Sequence, residues 1–128
     1  MIVATQPYTL PAFAGELVNM VAGLLLWAGH LAVVYAVHAL ACAHGFHERT
    51  VLGFGLVPFT IAAATAVALL GCLAVLGYAL RDLRRTRGRD DVAESERFLT
   101  YTSATIAGFS ILAIVWVAVP ALVIAPCV

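Results

Sequence analysis

Imidazole and thiol groups are the side chains of this chain best suited to ligand chemistry. Three of its four histidines and one of its three cysteines fall in one short segment, with the spacing His38-x3-Cys42-x-His44-x2-His47. Thiolate and imidazole are ligands that suit copper and zinc. His38, Cys42, His44 and His47 are therefore candidate ligands of copper or zinc, and copper handling is one interpretation. Their spacing is not that of an established metal motif, and histidines in a loop without a metal are the alternative.

A second set of ionisable residues recurs along one face of the first apolar segment. At 100° per residue, a helix brings Glu16, Trp27, His30 and His38 within about 120° of one another. Ionisable side chains inside a membrane are costly and turn toward protein or water. We therefore expect this stripe to face neighbouring helices or a larger partner protein.

The same histidines leave two chemical alternatives open. Neutral imidazole is the usual axial ligand of haem, so His30 and His38 are candidate ligands of a b-type haem. The later apolar segments contain no His or Met, so the second ligand would come from another copy or another subunit. A proton path along the stripe is the other alternative, and it would need intervening water because His30 and His38 lie about 12 Å apart along a helix.

The cysteines have a structural use as well. Cys42 and Cys127 each follow a long apolar segment, so they fall at the same end of a three-helix bundle. If that end faces an oxidising compartment, a disulfide between them is favoured. Cys72 lies in the middle of an apolar segment and is typical of a small buried residue.

No residue pattern in the chain indicates an enzyme. The sequence has no paired carboxylates within an apolar segment, no serine–histidine–aspartate set on one side and no glycine-rich phosphate loop. We expect no catalytic residues and a function that is not enzymatic.

The elements that position these residues follow from composition. The chain has 128 residues, of which 63% are hydrophobic and 11% charged, and its mean hydropathy is +1.02. Soluble globular proteins carry about 25% charged residues, so the solvent of this chain is lipid. Crossing a membrane takes about 20 apolar residues, which predicts an all-α, single-domain bundle of three transmembrane helices at about 11–42, 52–80 and 98–120.

Gly53, Gly55 and Pro58 predict that the second helix becomes regular only after Pro58. Asp91 and Glu94 resemble a capping box, so we expect the third helix to begin before it enters the membrane. Close helix packing should use small residues, and the third span offers the pairs Ser103/Ala107 and Ala104/Gly108.

The distribution of charge predicts the orientation. Six of the seven arginines fall at 81–97, the loop between the second and third spans, and positive loops stay in the cytoplasm. We therefore expect the N-terminus inside and the C-terminus outside, in a bacterial inner membrane. Five acidic residues share that loop, which argues against nucleic-acid binding, weakens attraction to anionic lipid and favours a solvated loop.

Two segments resemble a known family. Trp27-Ala-Gly-His30 followed by Tyr35-Ala-Val-His38-Ala-Leu-Ala-Cys42, together with Trp116–Pro120 and Pro126-Cys127, resemble small three-span membrane proteins encoded beside haem–copper cytochrome c oxidases in proteobacteria. This resemblance implies a non-catalytic accessory or assembly subunit of a respiratory terminal oxidase. The alternatives are a haem- or copper-binding membrane protein and a free-standing membrane oligomer.

Overall fold

The fold is a bundle of three long helices. The structure, a computed structural model, describes residues 10–88, 94–124 and 127. It contains α1 (Leu10–His44), α2 (Leu56–Thr86) and α3 (Glu94–Val123), and all three are long and apolar enough to cross a membrane. The chain thus has the architecture of a multi-pass membrane protein, as its composition predicts. The predicted cap at Asp91 and the side chains of Glu16 and His47 lie outside what the structure describes.

The three helices run up, down and up, and each one contacts the other two. The end of α1, the start of α2 and the end of α3 meet at what we call the cysteine end. The end of α2 and the start of α3 form the opposite, arginine end. Only 17–22% of the most apolar stretch of each helix is buried inside the chain, so most of the helix surface faces lipid or other proteins.

Small residues set the contact between α1 and α3. Ser103 and Ala107 are buried, with exposed fractions of 2% and 0%. The Ser103 hydroxyl donates to the carbonyl of Asn19 at 2.9 Å, and a Cβ on Gly23 would lie 2.9 Å from the Cα of Ala107. The predicted Ser103/Ala107 contact is therefore confirmed. Gly108 of the second pair is exposed, and no described residue lies within 4 Å of a Cβ built on it.

A compact turn joins α1 to α2 at the cysteine end. A 3-10 turn at Phe46–Glu48 leads into a two-stranded hairpin, β1 (Thr50–Val51) and β2 (Phe54–Gly55). Its central residues Leu52 and Gly53 both have positive φ, at 53° and 82°, as a type I′ turn requires. This conformation is unfavourable for leucine, and composition did not predict it.

Both ends of α2 differ from the sequence prediction. The expectation that the helix becomes regular only after Pro58 is wrong, because α2 begins at Leu56 with Pro58 in its first turn. Proline is tolerated there, since the missing N–H has no partner within the helix anyway. At the other end α2 continues past Leu80 to Thr86, because arginine and leucine are good helix formers.

Candidate functional site

The central polar group of the bundle is His30 on α1. Its exposed fraction is 3%, and its Nε2 lies 2.9 Å from the hydroxyl oxygen of Thr65 on α2. The structure thus uses this member of the predicted stripe inside the chain's own bundle. The outer surface that remains for a partner lies elsewhere on α1.

The hydrogen bonds of Thr65 favour one tautomer of His30. The Thr65 hydroxyl donates its single proton to the carbonyl of Ile61 at 2.7 Å. Toward His30 it can then only accept, so Nε2–H is the donor and Nδ1 holds the lone pair. That Nδ1 is buried and has no hydrogen-bond partner among the described residues.

Trp27, one turn before His30, carries a second unpaired polar atom. Its Nε1 is buried without a described hydrogen-bond partner, and the indole packs beside the cluster of Ala68, Cys72 and Ile114. An indole N–H can only donate and this His30 Nδ1 can only accept. Buried polar atoms are usually paired. The two buried polar atoms without a described partner, Trp27 Nε1 and His30 Nδ1, both lie on the same side of α1.

Replacing the two partners of this hydrogen bond should have unequal effects on the free energy of unfolding. His30→Leu removes a buried unpaired acceptor and leaves Thr65 bonded to Ile61, so the free energy of unfolding should change by less than about 1 kcal/mol. Thr65→Val leaves the buried Nε2–H without an acceptor and should cost about 1–3 kcal/mol. Unfolding of the purified chain from mild detergent into SDS, followed by circular dichroism, measures both. A larger loss for His30→Leu than for Thr65→Val would contradict this assignment.

The surroundings of His30 do not fit haem ligation. Its Nε2 is engaged by Thr65, and its Nδ1 has essentially no accessible surface, so an iron atom has no approach to either nitrogen in this packing. His38 is half-buried and lies about 12 Å farther along α1 at 1.5 Å per residue. Haem ligation by His38, with a second ligand from another copy or another subunit, stays a prediction.

At the cysteine end the predicted metal residues serve several structural contacts. Cys42 and Cys127 form a disulfide pair with Cα atoms 5.4 Å apart, within the range that a bridge requires. While bridged, Cys42 offers no thiolate to a metal. The His44 ring lies 5.7 Å from the ring of Phe46, and the guanidinium of Arg49 lies 4.6 Å above the same ring, as in a cation–π contact.

Beside His30 a groove opens between α1 and α2 on the outer surface. It has a volume of about 490 Å³. Small residues, among them Gly29, Ala63 and Ala64, share its lining with leucine and valine side chains, and its polar groups are His30 and Thr60. A built Cβ on Gly29 meets nothing within 4 Å. The groove is therefore an apolar, open surface at the middle of the membrane-spanning region.

Thr65 is the site residue that sequence reasoning missed. Its signal was a hydroxyl in the alanine-rich second span, and only the packing of α1 against α2 shows that it meets His30. By contrast, the hydroxyls of α3 behave as expected from their type, since Thr102 and Thr105 donate to carbonyls of their own helix.

Comparison with family models, with curated proteins and with solved structures finds no match to this chain.

Proposed function

We propose that this chain is a non-catalytic subunit that docks onto a larger membrane complex through the groove between α1 and α2. The observation that carries the proposal is the lining of that groove by Gly29, Ala63 and Ala64. Transmembrane helices associate where small residues let their backbones approach. The proposed occupant is therefore a transmembrane helix of the partner.

The partner we propose is a respiratory terminal oxidase of the haem–copper class. Support comes from the resemblance carried by Trp27-Ala-Gly-His30 and by the segment that ends at Cys42. In this structure Trp27 and His30 pack inside the bundle, and of the two only His30 contributes to the lining of the groove. Their role in docking would be to hold α1 and α2 at the spacing that shapes the groove.

We further propose a bacterial inner-membrane location with the arginine end in the cytoplasm. Two independent features support this orientation. Arginines concentrate at one end, and positive residues near span ends stay inside. The Cys42–Cys127 pair lies at the opposite end, and disulfides persist on the oxidising side of such a membrane.

Gly29→Leu should weaken partner binding about tenfold without destabilising the isolated chain. The new side chain would fill the groove but meets nothing within 4 Å at its Cβ, so the purified chain should keep its stability. Overfilling a packed helix contact costs about 1–3 kcal/mol, so the amount of co-purified partner should fall about tenfold. Gly108→Leu is the matched control, since Gly108 is also exposed and uncrowded but lies on α3, away from the groove.

The measurement is a mild-detergent pull-down of tagged chain from native membranes, with mass spectrometry and a reduced-minus-oxidised spectrum of the eluate. Oxidase subunits with a haem signal are expected from the unsubstituted chain and from Gly108→Leu. If Gly29→Leu recovers as much of the oxidase subunits as the unsubstituted chain does, docking through the groove is contradicted. A chain that elutes alone would contradict the subunit function, and haem or copper on that lone chain would favour a cofactor-binding function.

A further inference from the structure

At the arginine end, acidic and basic side chains line different surfaces of the bundle. Asp82 on α2 accepts a hydrogen bond from the Thr100 hydroxyl of α3 at 3.1 Å. These two residues line a cavity of about 150 Å³ together with Glu96 of α3 and Asn19 of α1. The acidic side chains nearest to the membrane therefore lie toward the interior of the three-helix bundle.

The arginines line a different surface, between α2 and α3. Arg84, Arg87 and Arg97 surround a groove of about 330 Å³, together with Leu80 and Tyr101. No acidic side chain of the described residues contributes to its lining. Among the described acidic residues of this segment, Asp82 and Glu96 line the other cavity instead.

Arg97 is held in place in this groove. Its Nη2 donates to the carbonyl oxygen of Thr86 at 2.9 Å, which ties the first turn of α3 to the last turn of α2. Arg84 and Arg87 are exposed. Guanidinium groups suit phosphate because their planar fork of donors matches its oxygens, and three of them here converge on one cavity.

We propose that this groove binds the phosphate group of an anionic phospholipid. The position argues for a lipid and against a free phosphate ion, because the groove lies where two membrane-spanning helices end. Leu80 and Tyr101 are exposed, at 44% and 58%, and offer an apolar wall to the glycerol and the first carbons of the acyl chains. Basic pockets between transmembrane helices are known to take such headgroups, and tyrosine is favoured at this depth.

The test compares two pairs of arginines on the full chain in a zwitterionic detergent. Arg84→Gln with Arg87→Gln removes two charges from the groove. Arg81→Gln with Arg85→Gln removes two charges from the same helix end at residues that do not line it. The probes are dihexanoyl phosphatidylglycerol, dihexanoyl phosphatidylcholine and inorganic phosphate, and binding is measured by native mass spectrometry, with circular dichroism to show that each variant keeps its helices.

Binding of the phosphatidylglycerol probe should fall about 30-fold in the Arg84/Arg87 variant, while the Arg81/Arg85 variant keeps most of it. Equal losses in the two variants would show diffuse attraction to positive charge and overturn the groove as a site. Equal binding of phosphatidylcholine would remove the requirement for an anionic lipid. Binding of inorganic phosphate as tight as that of the lipid would show a free-anion site and overturn the lipid assignment.

Discussion

Reduction of the Cys42–Cys127 bridge is expected to lower the free energy of unfolding by about 2–4 kcal/mol. The bridge closes a loop with a sequence separation of 85 residues, and in the chain-entropy model a longer loop gives a larger effect. Two of the three spans lie inside this loop. A lipid or detergent environment already restricts the unfolded chain, so we expect the lower part of that range in thick bilayers and the upper part in micelles.

The measurement is SDS-driven unfolding of the purified chain with and without reductant, followed by circular dichroism. Cys42→Ala with Cys127→Ala should match the reduced protein without reductant, and reductant should not change this variant. Both keep Cys72, which is fully buried, so that thiol cannot explain a difference. Alkylation of Cys42 and Cys127 without prior reduction would contradict the bridge itself.

Gly23→Ala is expected to cost about 1–3 kcal/mol of unfolding free energy, although alanine is the better helix former. The added Cβ would lie 2.9 Å from the Cα and 3.2 Å from the N of Ala107. Backbone atoms of a facing helix cannot rotate away, so α1 and α3 must separate. The Ser103 hydrogen bond to Asn19, one turn away, would be stretched by the same movement.

Gly29→Ala on the same helix is the matched control for this experiment. Nothing lies within 4 Å of its built Cβ, so the chain should keep its stability or gain up to about 1 kcal/mol. Unfolding of both variants in the SDS titration gives the comparison. Similar stabilities for Gly23→Ala and Gly29→Ala would show that the α1–α3 approach is looser than the structure describes.

Hydropathy and residue size were enough to predict the three helices and part of their packing. Apolar length alone indicates a span, and Ser103/Ala107 fits the general need for small residues at membrane helix contacts. The same argument could not choose between Ser103/Ala107 and Ala104/Gly108, because both pairs have the same spacing. The difference is the rotation of α3 about its axis, which depends on contacts with Gly23 and Asn19 far away in sequence.

The partners of the polar side chains were harder to predict than the helices, because they depend on how the helices pack. His30 was predicted from its type, but its acceptor Thr65 is 35 residues away and belongs to another helix. At the arginine end, composition gives an evenly mixed loop. Because α2 continues as a helix to Thr86, residues two positions apart point about 160° away from each other, which separates Asp82 from Arg84.

The path of the chain between the two cysteines also constrains its assembly. Between Cys42 and Cys127 the chain contains two helices long enough to cross a membrane, α2 and α3. An even number of crossings returns the chain to the side it left, so the two thiols share a compartment whichever way the protein is oriented. A chain in which α3 stays out of the membrane leaves them on opposite faces. The bridge therefore shows that α3 has crossed the membrane as well as α2. A cut in the connection between α2 and α3 would leave two fragments that stay covalently joined until a reductant opens the bridge.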